Sequence, residues 1–139
     1  MPINDESLLP VSAELLTRQV HPSQITEGRP SSRSFTPTDK DGGHLSADRE
    51  SLLSPREAYE RYLQQKQLTE AGGTWGVSIQ EFASLGLASY ADSIPSNSAH
   101  VLVDFTSAGD AKKQQTMGKL AYSKAKARGR LHPSSDLAE

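Results

Sequence analysis

The segment from Arg18 to Arg49 constrains the fold of this chain more than any other stretch. Three prolines and three glycines interrupt it and most of its residues are polar, so long helices or strands are disfavoured within it. It nevertheless contains four arginines and two of the four histidines in the 139-residue chain. We therefore expect an ordered loop region whose side chains can bind an anion or transfer a proton.

One aromatic residue indicates how this region is held. Phe35 is the only large apolar residue between Pro30 and Pro37. A loop that carries a single aromatic residue between two prolines is typically fixed to a core. We therefore expect Phe35 to anchor the loop.

The remainder of the sequence predicts a small α+β domain. Ser54 and Glu57 form a capping box with Pro55 at the first helical position, which predicts a helix over 55–67. The alternating sequence HVLVDF predicts a strand over 100–105. Further strands are expected within 13–20, 44–47, 74–79 and 87–90, and further helices over 79–85 and 110–128. These elements predict a small mixed or antiparallel sheet of 4–5 short strands, with two main helices on one face.

Length and composition predict one domain with loose ends. The chain is long enough for a single core and too short for two ordinary domains. Hydrophobic residues make up 35% of it, a low fraction for a globular protein. We expect a disordered N-terminal tail over 1–12, a single α+β domain over 13–130 and a disordered C-terminal tail over 131–139.

Several classes of protein are disfavoured by what the sequence lacks. Without cysteine the chain has no disulfide, no thiol nucleophile and no cysteine-based zinc site. No apolar run approaches the roughly 18–20 residues that a membrane span needs. Asp5 and Glu6 stand where a signal peptide would carry basic residues. We expect a cytoplasmic protein with flexible termini, no membrane association and no cofactor.

The C-terminal helix concentrates positive charge. Between Asp110 and Arg130 there are seven Lys and Arg residues against one acid, a balance of +6. The whole chain has a net charge of −2, so the residues outside this segment together carry −8. Lys112, Lys119 and Lys126 lie seven residues apart and share one stripe. This stripe is interpreted either as the solvated face of a packed helix or as a partner-binding surface for an acidic protein or nucleic acid.

The early loop supplies the candidate ligand-binding residues, which are Arg29, Ser31, Ser32, Ser34 and Arg49. Arginines, hydroxyls and backbone amides in one loop are the ingredients of an anion-binding concavity. The same composition is typical of an ordinary turn, because serine hydroxyls bond to their own backbone there. Both interpretations remain open.

Three residues are candidates for catalysis. Arg18 and His21 lie three residues apart at the end of the first strand, and His44 follows the glycine turn. With Asp41, the two histidines suggest a metal site, but their spacing matches no metal-binding motif, so no metal is expected.

Two functions follow, from different classes. The first is a bacterial-type binding protein, such as an adaptor, an immunity protein or an antitoxin-like partner, with a protein partner expected and nucleic acid as the other option. The alternative is a small nucleotide-utilising transferase or toxin-like enzyme whose pocket would be lined by Arg18, His21, Ser32, His44 and Arg49.

The alternative draws on a resemblance. The early Arg/His strand and the later Ser31-Ser32-Arg33-Ser34-Phe35 loop resemble ADP-ribosyltransferase folds over about thirty residues. In that family an early strand holds the nicotinamide dinucleotide and a serine-containing motif supports the pocket. The acidic turn of the family has no clear counterpart here, since Glu81 and Asp104 match its position only loosely.

Overall fold

The fold is a five-stranded antiparallel sheet packed with helices. The computed structural model describes residues 7–26, 29–38 and 42–133, without the side chains of Thr26 and Arg29. The strands are β1 (Leu15–Gln19), β2 (Ile25–Thr26), β3 (Arg29–Pro30), β4 (His44–Arg49), β5 (Thr74–Ser78), β6 (Ala88–Ala91) and β7 (His100–Asp104), and the helices are α1 (Pro55–Lys66), α2 (Ile79–Ser84) and α3 (Ala111–Arg128). The sheet runs in the order β5–β1–β4–β7–β6, and β2 pairs separately with β3. The predicted α+β fold is confirmed, and its sheet is antiparallel.

One face of the sheet carries the main core. Side chains alternate between the two faces of a strand, so the large apolar residues of β1, β4, β5 and β7 point to the same side. Helix α3 covers this side with Ala121 and Ala125, which are both fully buried. The sheet residues of this core are Leu16, Leu45, Ala47, Val77, Val101 and Val103.

Helix α1 lies on the opposite face of the sheet. Thr74 is fully buried on that face, and its hydroxyl contacts the Pro55 carbonyl at the start of α1 at 3.1 Å. Thr17, also fully buried, shares the face with Thr74. The expectation that both main helices cover one face is therefore wrong. Strands β1 and β5 carry buried residues on both of their faces, so each face needs a helix.

The predicted helix starts are confirmed. The Ser54 hydroxyl accepts from the Glu57 N–H at 3.2 Å, and the Glu57 carboxylate accepts from the Ser54 N–H at 3.1 Å. Ser78 and Glu81 repeat this capping box at the start of α2. These reciprocal bonds satisfy backbone N–H groups that have no partner within the helix.

Parts of both predicted tails contact the domain. The Leu9 N–H donates to the Ser89 carbonyl at 2.9 Å, and Leu9 is 9% exposed. At the other end Leu131 and His132 pair with Thr74, beside the outer edge of β5. Both outer strands of the sheet thus have main-chain hydrogen bonds to a terminal segment, which partly covers their edges.

Phe35 anchors the early loop, as predicted. It is fully buried, and its ring centroid lies 6.3 Å from that of Tyr122 on α3. The loop approaches α3 closely at Gly118, where an added Cβ would overlap the Thr36 side chain and lie 3.1 Å from the Phe35 carbonyl oxygen. The missing side chain at position 118 is what permits this contact.

We expect Gly118→Ala to destabilise the protein by about 1–3 kcal/mol, because overpacking outweighs the roughly 1 kcal/mol by which alanine favours a helix. Chemical denaturation with urea measures the change. Ser123→Ala, at an exposed position of the same helix, should change the free energy of unfolding by at most about 0.5 kcal/mol. A Gly118→Ala protein more stable than the parent would contradict the close contact.

Candidate functional site

Arg18 joins three segments of the chain. The β1–β4 pairing ends at Thr17 and Asp48, and the strands separate beyond that pair. The Arg18 Nε atom donates to the Ser34 carbonyl at 2.8 Å, and its Nη1 atom donates to the Ser46 carbonyl at 2.6 Å. One guanidinium group therefore links β1 to β4 and to the early loop.

A first cleft lies between the early loop and the N-terminal half of α3. We call it the loop–helix cleft; its volume is about 740 Å³. Arg33 and Lys119 supply positive charge to it, and no acidic side chain lines it within the described ranges. The charged groups among its described lining residues are therefore both basic. Its main polar lining residues are Ser32, Arg33, Thr36, Gln114, Gln115 and Lys119.

Of the five residues predicted to bind a ligand, Ser32 lines this cleft. Lys119, which lines it too, was predicted as part of the partner-binding stripe. Ser34 is fully buried, and its hydroxyl donates to the Ser31 carbonyl at 2.6 Å, so it faces the interior. The Ser31 hydroxyl is buried as well, without a hydrogen-bond partner among the described residues. The side chain of Arg29 lies outside the described part of the structure.

Arg49 forms an ion pair away from the cleft. Its Nη2 atom lies 2.9 Å from Glu14 Oε1. The hydroxyl and the N–H of Ser51 donate to the same carboxylate. Burial alone would raise the pKa of Glu14, but the hydrogen bonds from Arg49 and Ser51 together lower this pKa below its ordinary value.

The lysine stripe that was predicted to bind a partner is exposed on α3. Lys112, Lys119 and Lys126 are all solvent-exposed. Only Lys119 lines the loop–helix cleft. The only aromatic residue in this helix, Tyr122, is partly buried and donates its hydroxyl to the Pro30 carbonyl at 2.8 Å.

Of the three candidate catalytic residues, Arg18 and His21 line one cleft on the α1 side of the sheet, whereas His44 does not line it. His21 caps its own short turn, where Nδ1 accepts from the Ser23 N–H at 3.1 Å. His44 lies opposite Asp104 in the sheet, with 3.9 Å between Nε2 and Oδ1. Asp41 lies outside the described residues. The five residues assigned to a transferase pocket therefore do not share one cleft. Ser32 lines the loop–helix cleft, whereas His44 and Arg49 line neither this cleft nor the one that contains Arg18 and His21.

A second cleft lies on the α1 side of the sheet. We call it the sheet-face cleft; its volume is about 400 Å³. Thr17, Ser46 and Asp48 of neighbouring strands line it, as does Tyr62 of α1. Arg18 and His21 line it as well. Helix α1 packs over β1 and β5, and one side of α1 faces the polar residues of β4 and β7. The cleft lies between this side of α1 and those two strands.

Two hydrogen-bonded pairs border the sheet-face cleft. Asn97 Nδ2 donates to Asp48 Oδ1 at 2.6 Å, and His100 Nδ1 lies 2.9 Å from Asp92 Oδ2. Burial raises the pKa of Tyr62 above its ordinary value, and the nearby charge of Arg18 offsets only part of this rise. The Tyr62 hydroxyl is therefore protonated at neutral pH.

The third depression is an apolar groove of about 450 Å³ beside α2. Leu8 and Val11 border it and are 53% and 65% exposed. Ile79, Ala83 and Leu87 form its other side. Its lining supplies few polar groups, so it offers little that could orient a charged ligand.

Sequence reasoning did not select several of the cleft residues. Gln114 and Gln115 stand between basic residues of α3, and no motif distinguishes them. Asn97 lies in a loop that precedes a strong strand. The alternation of β4 does place Asp48 on the same face as His44 and Ser46. This alternation is the sequence pattern from which Asp48 could have been identified as a cleft residue.

We expect Arg18→Gln to destabilise the protein by about 2–3 kcal/mol, because two carbonyl groups lose a charged donor. Thermal and urea unfolding measure the loss. Arg56→Gln removes the same charge from an exposed pair with Glu60 and should cost at most about 0.5 kcal/mol. Equal losses in the two variants would contradict a joining role for Arg18.

We expect Glu14→Gln to lower stability at pH 7 by about 1–2 kcal/mol. Because the folded-state pKa of Glu14 lies below the unfolded value of about 4.3, the stabilisation is fully present above that value. It is lost as the pH falls through the folded pKa. The difference in stability between parent and variant should therefore shrink as the pH falls below about 4.3. A difference that does not shrink with falling pH would contradict this origin.

Among the described residues no group of three or more His, Cys, Asp or Glu side chains is placed to hold a metal ion. No helix within the described ranges is long and apolar enough to cross a membrane. Comparison of the chain with protein-family models, curated proteins and solved structures finds no match.

Proposed function

We propose that this chain is a binding protein of the adaptor, immunity or antitoxin-like kind, whose loop–helix cleft receives an acidic segment of a partner protein. The observation that carries the proposal is the meeting of two basic groups from distant parts of the sequence. Arg33 of the early loop and Lys119 of α3 line one cleft, together with the Ser32 hydroxyl.

The chemistry of these groups suits a carboxylate. The planar guanidinium of Arg33 can donate two parallel hydrogen bonds to one carboxylate, and Lys119 adds a second positive charge. Because no described lining residue is acidic, an incoming anion meets no opposing charge from these residues. Gln114 and Gln115 add neutral amides that can bond to the backbone of a bound peptide.

The aromatic content of this surface favours a protein partner over single-stranded nucleic acid. Nucleic-acid grooves combine basic residues with exposed aromatic rings on which bases stack. Here Tyr122 is packed against Phe35 and bonded to Pro30, so it is not available as a stacking platform. A peptide needs no such platform.

A hexaglutamate peptide, titrated at about 50 mM salt with amide NMR detection, tests the proposal. We expect chemical-shift changes at 32–36 and 114–119. The double variant Arg33→Gln/Lys119→Gln should weaken the affinity at least about fivefold, which corresponds to about 1 kcal/mol. Binding should also weaken above about 0.15 M salt, where the screening length is about 8 Å.

The matched control is Lys112→Gln/Lys126→Gln. This control also removes two positive charges, but from lysines of the stripe that lie outside the cleft. It should retain most of the affinity. Equal weakening in both double variants would reduce the effect to net charge and contradict a site in the cleft. An oligothymidylate that binds the same residues more tightly than the peptide would assign the surface to nucleic acid instead.

A further inference from the structure

The sheet-face cleft contains a carboxylate that is fixed in position yet only partly used. Asp48 Oδ1 accepts from Asn97 Nδ2 at 2.6 Å, whereas Oδ2 accepts no hydrogen bond from any described residue. The Asn97 amide is itself oriented, because its oxygen accepts from the Ala99 N–H at 3.0 Å. The cleft therefore presents one preorganised acceptor oxygen.

A second acceptor stands beside the first. His100 Nδ1 lies 3.2 Å from the Asp92 carbonyl oxygen and 2.9 Å from its carboxylate. Both of these oxygens accept, so in the tautomer that fits this contact Nδ1 carries the proton and Nε2 is the acceptor. His100 is the direct cross-strand partner of Asp48 and shares its face of the sheet. Residues paired in this way have Cβ atoms about 4.5–5.5 Å apart.

The α1 wall supplies groups of a different kind. Tyr62 is half-buried and lines the cleft with an aromatic ring, which can pack against a planar ligand. Lys66 lies one helical turn further on, is exposed, and lines the same cleft. A complementary ligand therefore has two adjacent hydrogen-bond donors, a planar ring and an anionic group.

We propose that the sheet-face cleft binds a guanine nucleotide, a function separate from the proposed peptide site. The guanine N1–H and 2-amino groups are adjacent donors that match Asp48 Oδ2 and His100 Nε2. The phosphate is then placed near Lys66. Adenine offers an acceptor at N1, whose lone pair would face the Asp48 carboxylate. A sugar diol supplies two donors but no anion for Lys66. The volume of about 400 Å³ lies within the usual range for small-ligand pockets.

Titration of the full chain with GMP, AMP and guanosine tests this inference by amide NMR and calorimetry. We expect GMP to bind at least about tenfold more tightly than AMP, a difference of about 1.4 kcal/mol. Shifts should centre on Asp48, Tyr62 and His100. Guanosine should bind more weakly than GMP, and Lys66→Gln should remove that difference while leaving guanosine affinity unchanged.

Asp48→Asn is the decisive variant, because it keeps the shape of the side chain and still accepts from Asn97. It should lose the preference for GMP over AMP, since an amide presents both a donor and an acceptor. Glu60→Gln changes the charge equally at an exposed position of α1 and should leave the preference intact.

The inference would be overturned by equal affinity for GMP and AMP, by binding of methyl glucoside as tight as that of GMP, or by an unchanged preference in Asp48→Asn. Loss of GMP binding in Arg33→Gln/Lys119→Gln would also count against it, because the phosphate would then occupy the loop–helix cleft. Failure of peptide binding at that cleft leaves the guanine test unaffected.

Discussion

The guanidinium group of Arg18 is the interaction on which both clefts depend. The β1–β4 pairing stops at Thr17 and Asp48, which leaves main-chain carbonyls of β4 and of the early loop facing a gap. Buried carbonyl groups need donors, and Arg18 supplies them to Ser34 and Ser46 at the same time. Lysine carries a single ammonium group and could not reach two segments with the same rigid geometry.

This link fixes the early loop between the two sides of the molecule. On the α3 side, the loop buries Phe35 and presents Ser32 to the loop–helix cleft. On the α1 side, Arg18 contacts the segment of β4 that lines the sheet-face cleft. Gln24 lines both clefts, so the two depressions share a wall. Their positions are therefore consequences of one packing arrangement.

Local signals in the sequence predicted the regular elements well. The capping boxes at Ser54 and Ser78 act within four residues, and strand alternation acts within six, so both are visible without tertiary structure. The pairing of Glu14 with Arg49 spans 35 residues and leaves no local pattern. The face that α1 covers was mispredicted because it depends on Thr17 and Thr74, whose burial the polar character of threonine does not suggest.

The density of polar groups in the early stretch has a mainly structural cause. An irregular chain leaves backbone groups without ladder partners, and nearby side chains must satisfy them. His21, Ser34 and Thr36 do so within their own turns, and Arg18 does so across the gap. Polar density alone therefore does not locate a site. The clefts differ because they contain polar groups that the fold does not use in hydrogen bonds. At Arg33 and at the second carboxylate oxygen of Asp48, binding a ligand would break no hydrogen bond made by the described residues.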